Sequence, residues 1–138
     1  MIGRSSISIF GFDISNRHNS SRHSQETKMQ TTPVRMEQFR SSVLAVPPLA
    51  RDENDRISKR ENERLIRHIE AGGVSMLLYG GNANLYHIRP SEYADMLEVL
   101  EQVSGNDTLV IPSVGPSYGL MMDQADILKG TRFPTAMV

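Results

Sequence analysis

Val74-Ser75-Met76-Leu77-Leu78-Tyr79-Gly80-Gly81 is the stretch on which the fold turns. Its short apolar run suits a strand buried on both faces, the habit of parallel sheets. Two glycines close it. Just upstream, Leu65, Ile66 and Ile69 make an apolar stripe at helical spacing, and Gly72-Gly73 stops it. Glycine accepts the left-handed conformation that a helix end favours. Ser58 and Glu61 open that helix with the spacing of a capping box. In such a box the serine oxygen takes a free helix N–H and the glutamate reaches back.

The same alternation continues in both directions. Toward the amino terminus, Val43-Leu44-Ala45-Val46 reads as a buried strand closed by Pro47-Pro48, and Arg51 to Arg56 as a polar loop. Toward the carboxyl terminus, Pro90 suits a first helical turn. Tyr93, Met96, Leu97, Leu100 and Val103 predict the buried face of that helix, with Gly105 just past its end. Thr108-Leu109-Val110-Ile111 predicts a third strand, running to about Val114 before Gly115-Pro116. A third helix is expected from near Ser117, burying Met121, Met122, Ala125 and Leu128 and ending at Gly130. Phe133 to Val138 reads as a fourth strand. Strands thus begin at residues 43, 74, 108 and 133, spaced by 31, 34 and 25 residues. Each interval holds one strand-plus-helix unit. The expectation is an α/β domain with a parallel sheet and right-handed crossovers. The pattern leaves open a doubly wound sheet or part of a barrel.

Composition narrows the function classes. The chain has 138 residues, a formal charge of −1, 38% hydrophobic residues and a mean hydropathy of −0.36. It has no run of about 18 apolar residues, so no membrane-spanning helix is expected. It has no cysteine, which excludes disulfides, thiolate metal sites and a cysteine nucleophile. A cysteine-free chain fits a reducing compartment, and the reading is cytoplasmic. Near-neutral charge gives no drive toward nucleic acid or an anionic membrane.

The charge is unevenly placed. Residues 1–40 hold six basic and three acidic residues, and the remaining 98 hold nine basic and thirteen acidic. The first segment is rich in serine, and its one apolar cluster, Ile7 to Ile14, is broken by Gly11 and Asp13. It lacks a secretory cleavage site. An organelle transit peptide fits its arginine and serine content. A disordered tail, or an extension translated in error ahead of Met29 or Met36, fits it better. Residues 1–40 are therefore expected to be a disordered or spurious extension, and residues 41–138 the folded body.

Ligands of α/β proteins bind at the carboxyl ends of strands. Three loops lie there: Pro47 to Arg56, Gly80 to Arg89, and Val114 to Ser117. In the second, Gly80-Gly81-Asn82-Ala83-Asn84 brings backbone close to whatever lies above the strand, and two amide side chains suit a carboxylate or carbonyl. A tight turn with asparagine in left-handed geometry explains the same residues. The loop matches neither a dinucleotide nor a P-loop fingerprint. His87 is a base or ligand candidate, but no second histidine stands at metal-ligand spacing, and His68 reads as a helix-surface residue. Glu92, Glu98 and Glu101 read as a solvated helix face. No Ser-His-Asp set can be assembled.

Residues 43–138 resemble the amino-terminal half of the dihydrodipicolinate synthase and N-acetylneuraminate lyase family. Val46-Pro47-Pro48-Leu49 stands where V-T-P-F is usual. Asp52 to Arg56 and Glu70-Ala71-Gly72-Gly73-Val74 resemble the family's D-x-x-G-x-h-D loop and E-G-G-V junction. Leu78 to Asn84 falls where a strand precedes G-T-T-G-E, and Ile88 to Glu92 at the L-S-x-x-E helix start. Val110-Ile111-Pro112-Ser113-Val114-Gly115 resembles the third strand, usually V-I-A-G-V-G.

The resemblance implies a (β/α)8 barrel, here about its first half with four strands and three helices. It implies a class I aldolase mechanism, in which a lysine forms a Schiff base with pyruvate or a related 2-oxo acid. A protonated imine is an electron sink, which suits an amine nucleophile. The family's two threonines relay protons and hold the keto-acid carboxylate. Here Gly81 and Asn82 stand in their place, and Asn84 replaces the glutamate. Gly81 has no hydroxyl for a relay, whereas Asn82 keeps an amide donor for a carboxylate. Gly81 and Asn82 are thus the expected substrate-binding residues. The family's tyrosine and Schiff-base lysine lie on later strands, and Lys59 and Lys129 fall at predicted helix positions. No catalytic residue, metal or cofactor is assigned. The expectation is a truncated family member whose intact parent is a lyase or aldolase on a 2-oxo acid. The rival is a non-catalytic half-barrel with a ligand-binding or assembly role. Expected partners are the 2-oxo acid, in the intact parent, and further copies of the chain as a homo-oligomer, with neither nucleic acid nor membrane.

Overall fold

The computed structural model describes residues 29–80 and 88–138. They form an α/β unit around a three-stranded parallel sheet. Strand β1 (Leu44–Ala45) pairs with β2 (Met76–Tyr79), and β2 pairs with β3 (Leu109–Pro112), all parallel. Helix α1 (Met36–Ser41) precedes β1, α2 (Lys59–Ala71) links β1 to β2, and α3 (Tyr93–Val103) links β2 to β3. A short 3-10 turn, Pro90–Glu92, leads into α3. Helix α4 (Tyr118–Leu128) follows β3, and the chain then returns to the sheet at Met137. Met137 bridges Ser113 in parallel, donating to the Pro112 carbonyl and accepting from Val114 N–H, each at 2.9 Å. The expected fourth strand is therefore present among the described residues as this one bridge.

The sheet sorts its side chains by the strand period of two. Leu77, Tyr79 and Val110 face the helices, where they meet Ile66 and the apolar side of α3. Met76, Leu109 and Ile111 face the other way, toward Val34, Leu78 and Met137. Helix α3 packs against both α2 and α4, so the three helices share one side of the sheet. Tyr93, Met96, Leu97, Leu100 and Val103 are the buried residues of α3, as their spacing predicts.

Helix α2 keeps half of its expected capping box. The Ser58 hydroxyl accepts from Glu61 N–H at 3.3 Å. The Glu61 carboxylate instead takes Arg60 at 2.8 Å and Arg64 at 3.0 Å, because two cations outcompete one neutral N–H. Gly73 ends the helix at φ +82°, the conformation that calls for glycine.

Three expectations are corrected. Val43, Leu44 and Val46 were expected to be buried, yet they are 67%, 41% and 44% exposed. β1 is an edge strand, and among the described residues no strand lies on its outer side. Helix α4 buries Gln124, while Met122 is exposed and Met121, Ala125 and Leu128 are half-buried. The third correction concerns residues 29–40, which composition placed with the leader. Met29 is buried in the helix-side core, Gln30 N–H donates to the Thr108 carbonyl at 3.1 Å, and Val34 covers the opposite face of the sheet. The Gln30 and Gln38 amides also bond each other, at 2.6 and 3.3 Å. These contacts tie the segment to the body despite its polar composition. The expectation for residues 1–28 lies outside the described residues.

Candidate functional site

The carboxyl ends of β2 and β3 meet at Gly80 and Ser113. Ser113 N–H donates to the Tyr79 carbonyl at 2.9 Å, carrying the ladder one step past β3. Tyr93 reaches up from α3 and its hydroxyl donates to the Ser113 carbonyl at 3.0 Å. Beyond Ser113 the chain turns at Gly115, whose φ is +101°. Gly115 N–H is buried and donates to Gln124 Oε1 at 2.8 Å. A buried N–H needs such an acceptor, which is why α4 turns a polar residue inward.

Gly80 has no room for a side chain. A Cβ there would lie 1.8 Å from Ser113 Oγ and 2.1 Å from Ser113 Cβ. The backbones of β2 and β3 therefore touch closely at the point where the candidate loop departs. Gly81, Asn82, Asn84 and His87 lie outside the described residues. Both anchors of their loop are placed: Gly80 is buried beside Ser113, and Ile88 is buried in the helix-side core.

The loop after β1 joins this end of the sheet. Asn62 on α2 is fully buried and binds the loop through Ala50. Its Oδ1 accepts from Ala50 N–H at 3.0 Å, and its Nδ2 donates to the carbonyls of Ala50 at 2.9 Å and Ser58 at 2.7 Å. Arg51 then grips Glu92 with two bonds, at 2.9 and 3.1 Å, and also donates to the Asp55 carbonyl at 2.7 Å. This clamp joins the loop after β1 to the 3-10 turn that precedes α3. Arg51 is a cation held at this end, and Glu92 neutralises it.

The Arg51 guanidinium, with help from Arg89 N–H, holds the Glu92 carboxyl down at about 2. The folded value lies below the ordinary one, so this contribution is complete above about pH 4.3 and lost as pH falls toward 2. Both partners are partly exposed, which limits the pair to about 1 kcal/mol. Glu92→Gln should therefore lower the urea midpoint by clearly more at pH 7 than at pH 2.5. An equal gap at both pH values would contradict the clamp.

Tyr79 and Tyr93 are buried at this end of the sheet. Burial pushes the Tyr93 phenol up to about 12 and the Tyr79 phenol higher still. Both rings belong to the helix-side core. Tyr79 Oη has no hydrogen-bond partner among the described residues. Lys59 opens α2 and is exposed; Lys129 follows α4 and pairs with Asp126 at 2.7 Å. Neither lysine lies at a strand end, as expected from sequence. An open groove of Gln30, Arg35, Gln38, Asn106 and Asp107 lies before β3, at the opposite end of the sheet. Among the described residues there is no cluster of three or more His, Asp or Glu able to hold a metal. No helix among them is long and apolar enough to cross a membrane.

Sequence reasoning missed Asn62 and Gln124. Each had a visible signal. Asn62 shares the stripe of Leu65, Ile66 and Ile69, and Gln124 that of Met121, Ala125 and Leu128. A polar residue inside an apolar stripe is buried with a partner or breaks the stripe. No protein-family model, curated protein or solved structure matches the chain.

Proposed function

We propose that these residues are the amino-terminal half of a (β/α)8 barrel of the dihydrodipicolinate synthase and N-acetylneuraminate lyase type, and that they bind a 2-oxo acid at the carboxyl ends of the strands. The observation that carries the reading is the sequential parallel sheet, β1 to β2 to β3 and on to Met137, with every linking helix on one side. A barrel repeats that step around a closed ring and binds ligands where its strands end. Gly80 and Ser113 mark that end, and the loop holding Gly81 and Asn82 leaves from it. The proposed compartment is the cytoplasm.

Within residues 1–138 the proposed role is binding without covalent catalysis. Lys59 and Lys129 sit at helix ends, and Gly81 offers no hydroxyl for a proton relay. Borohydride added with pyruvate should leave no adduct on the chain. A stable adduct on Lys59 or Lys129 would contradict this assignment. A lyase acting on a 2-oxo acid needs the strand-borne lysine that the family carries further along.

Asn82 is the residue proposed to grip the keto-acid carboxylate. A hydrogen bond to a charged group is worth about 1.5–3 kcal/mol. Asn82→Ala should therefore weaken pyruvate binding by about one to two powers of ten, read by calorimetry. Unchanged affinity would remove the side chain from the site and leave the loop as a plain turn.

A further inference from the structure

We propose that the Ser113 hydroxyl is a further ligand contact of the keto-acid site, donating to an oxygen of the 2-oxo acid at the carboxyl ends of β2 and β3. This assignment deepens the binding reading above and rests on it. Ser113 follows Leu109 and Ile111 at the strand period of two, on the face turned away from the helices. Its neighbours agree. Ile111 pairs with Leu78, which sets Ser113 beside Gly80, and Met137 bridges Ser113 from the other side. Met76, Leu78, Leu109, Ile111 and Met137 share this face, and all are apolar. In the two columns Met76-Leu78-Gly80 and Leu109-Ile111-Ser113, serine is the one polar side chain, and it stands at the carboxyl end. In a barrel this face is the interior, and the groups that touch ligand stand at the carboxyl ends of its strands.

Gly80 and Ser113 fit one another. A Cβ on Gly80 would lie 1.8 Å from Ser113 Oγ, so the hydroxyl takes the space that a side chain on β2 would fill. The backbone groups of Ser113 are already engaged. Its N–H donates to the Tyr79 carbonyl at 2.9 Å, and its carbonyl accepts from Tyr93 Oη at 3.0 Å. Its Oγ makes no hydrogen bond among the described residues, although the residue is only 5% exposed. A hydroxyl so deeply placed ordinarily has a partner. It is not sealed in, as the unpartnered hydroxyls of Tyr79 and Ser104 are. A serine hydroxyl carries one donor, which suits a carboxylate or keto oxygen. Those oxygens lie on adjacent carbons of a 2-oxo acid, so two donors at one strand end serve one ligand.

Calorimetric titration with pyruvate, on the 138-residue chain and on Ser113→Ala and Ser113→Cys, tests the contact. Neither substitution removes a hydrogen bond among the described residues, so both variants should keep the urea midpoint of the parent. Ser113→Ala is expected to weaken pyruvate binding about tenfold, the loss that one hydrogen bond to a charged group brings. Ser113→Cys keeps a side chain of similar size but only a weak donor, and should lose nearly as much. Unchanged affinity in both variants, with Asn82→Ala weakened, would overturn the Ser113 contact and leave the keto-acid reading standing. A loss of affinity that only follows a fallen urea midpoint would make Ser113 a packing residue and also overturn the contact. No saturable binding of pyruvate by the parent chain would overturn both.

Discussion

Gly80→Ala is expected to cost about 3 kcal/mol of stability, near the top of the range for overpacked sites. The added Cβ would fall 1.8 Å from Ser113 Oγ and 2.1 Å from Ser113 Cβ. Rotating the Ser113 hydroxyl relieves the first contact but not the second, because the backbone fixes Cβ. That backbone is pinned on both sides, by Ser113 N–H to Tyr79 at 2.9 Å and by Tyr93 Oη to the Ser113 carbonyl at 3.0 Å. Relief therefore requires β2 and β3 to separate at their carboxyl ends. Urea unfolding measures the loss as a drop in midpoint. The double variant Gly80→Ala with Ser113→Gly removes both offending atoms, and much of the loss should return. A single variant as stable as the parent would show that the two strand ends do not meet this closely.

Asn62→Ala is expected to cost about 2 kcal/mol. It strands the Ala50 N–H, while the Ala50 carbonyl keeps its bond from Ser58 N–H at 3.0 Å, and one unsatisfied group costs about 1–3 kcal/mol. Asn62→Asp separates this from simple loss of packing. An aspartate still accepts from Ala50 N–H but sets a lone pair against the carbonyls of Ala50 and Ser58. It should destabilise the fold more at pH 7 than at pH 4, where a protonated carboxyl regains a donor. A pH-independent loss in Asn62→Asp would mean that the Nδ2 bonds contribute little.

Helix α3 was legible because its pattern is uninterrupted. Tyr93, Met96, Leu97, Leu100 and Val103 repeat at helical spacing, and all five are buried. The ends of α2 were legible because Ser58 and Gly73 have local conformational reasons to stand there. β1 misled because an apolar run reports what a strand can bury, not what lies beside it. Val43, Leu44 and Val46 stay open for want of a neighbouring strand among the described residues. Met29 and Val34 misled in the other direction, since two apolar contacts outweigh a polar composition once the sheet is there to receive them. At the site, sequence singled out the loop after β2, and its anchors Gly80 and Ile88 are placed. The clamp of Arg51 on Glu92 joins residues 41 positions apart in the chain, a pairing with no local signal.

The proposed binding of a 2-oxo acid at the carboxyl ends of these strands is tested by backbone amide NMR of the 138-residue chain during a pyruvate titration. Saturable shifts are expected at Gly80 to Asn82 and at Ser113 to Gly115, with Gln30, Asn106 and Asp107 at the opposite end unmoved. Shifts centred on the groove of Gln30, Arg35, Gln38, Asn106 and Asp107, or no saturable shift anywhere, would contradict it.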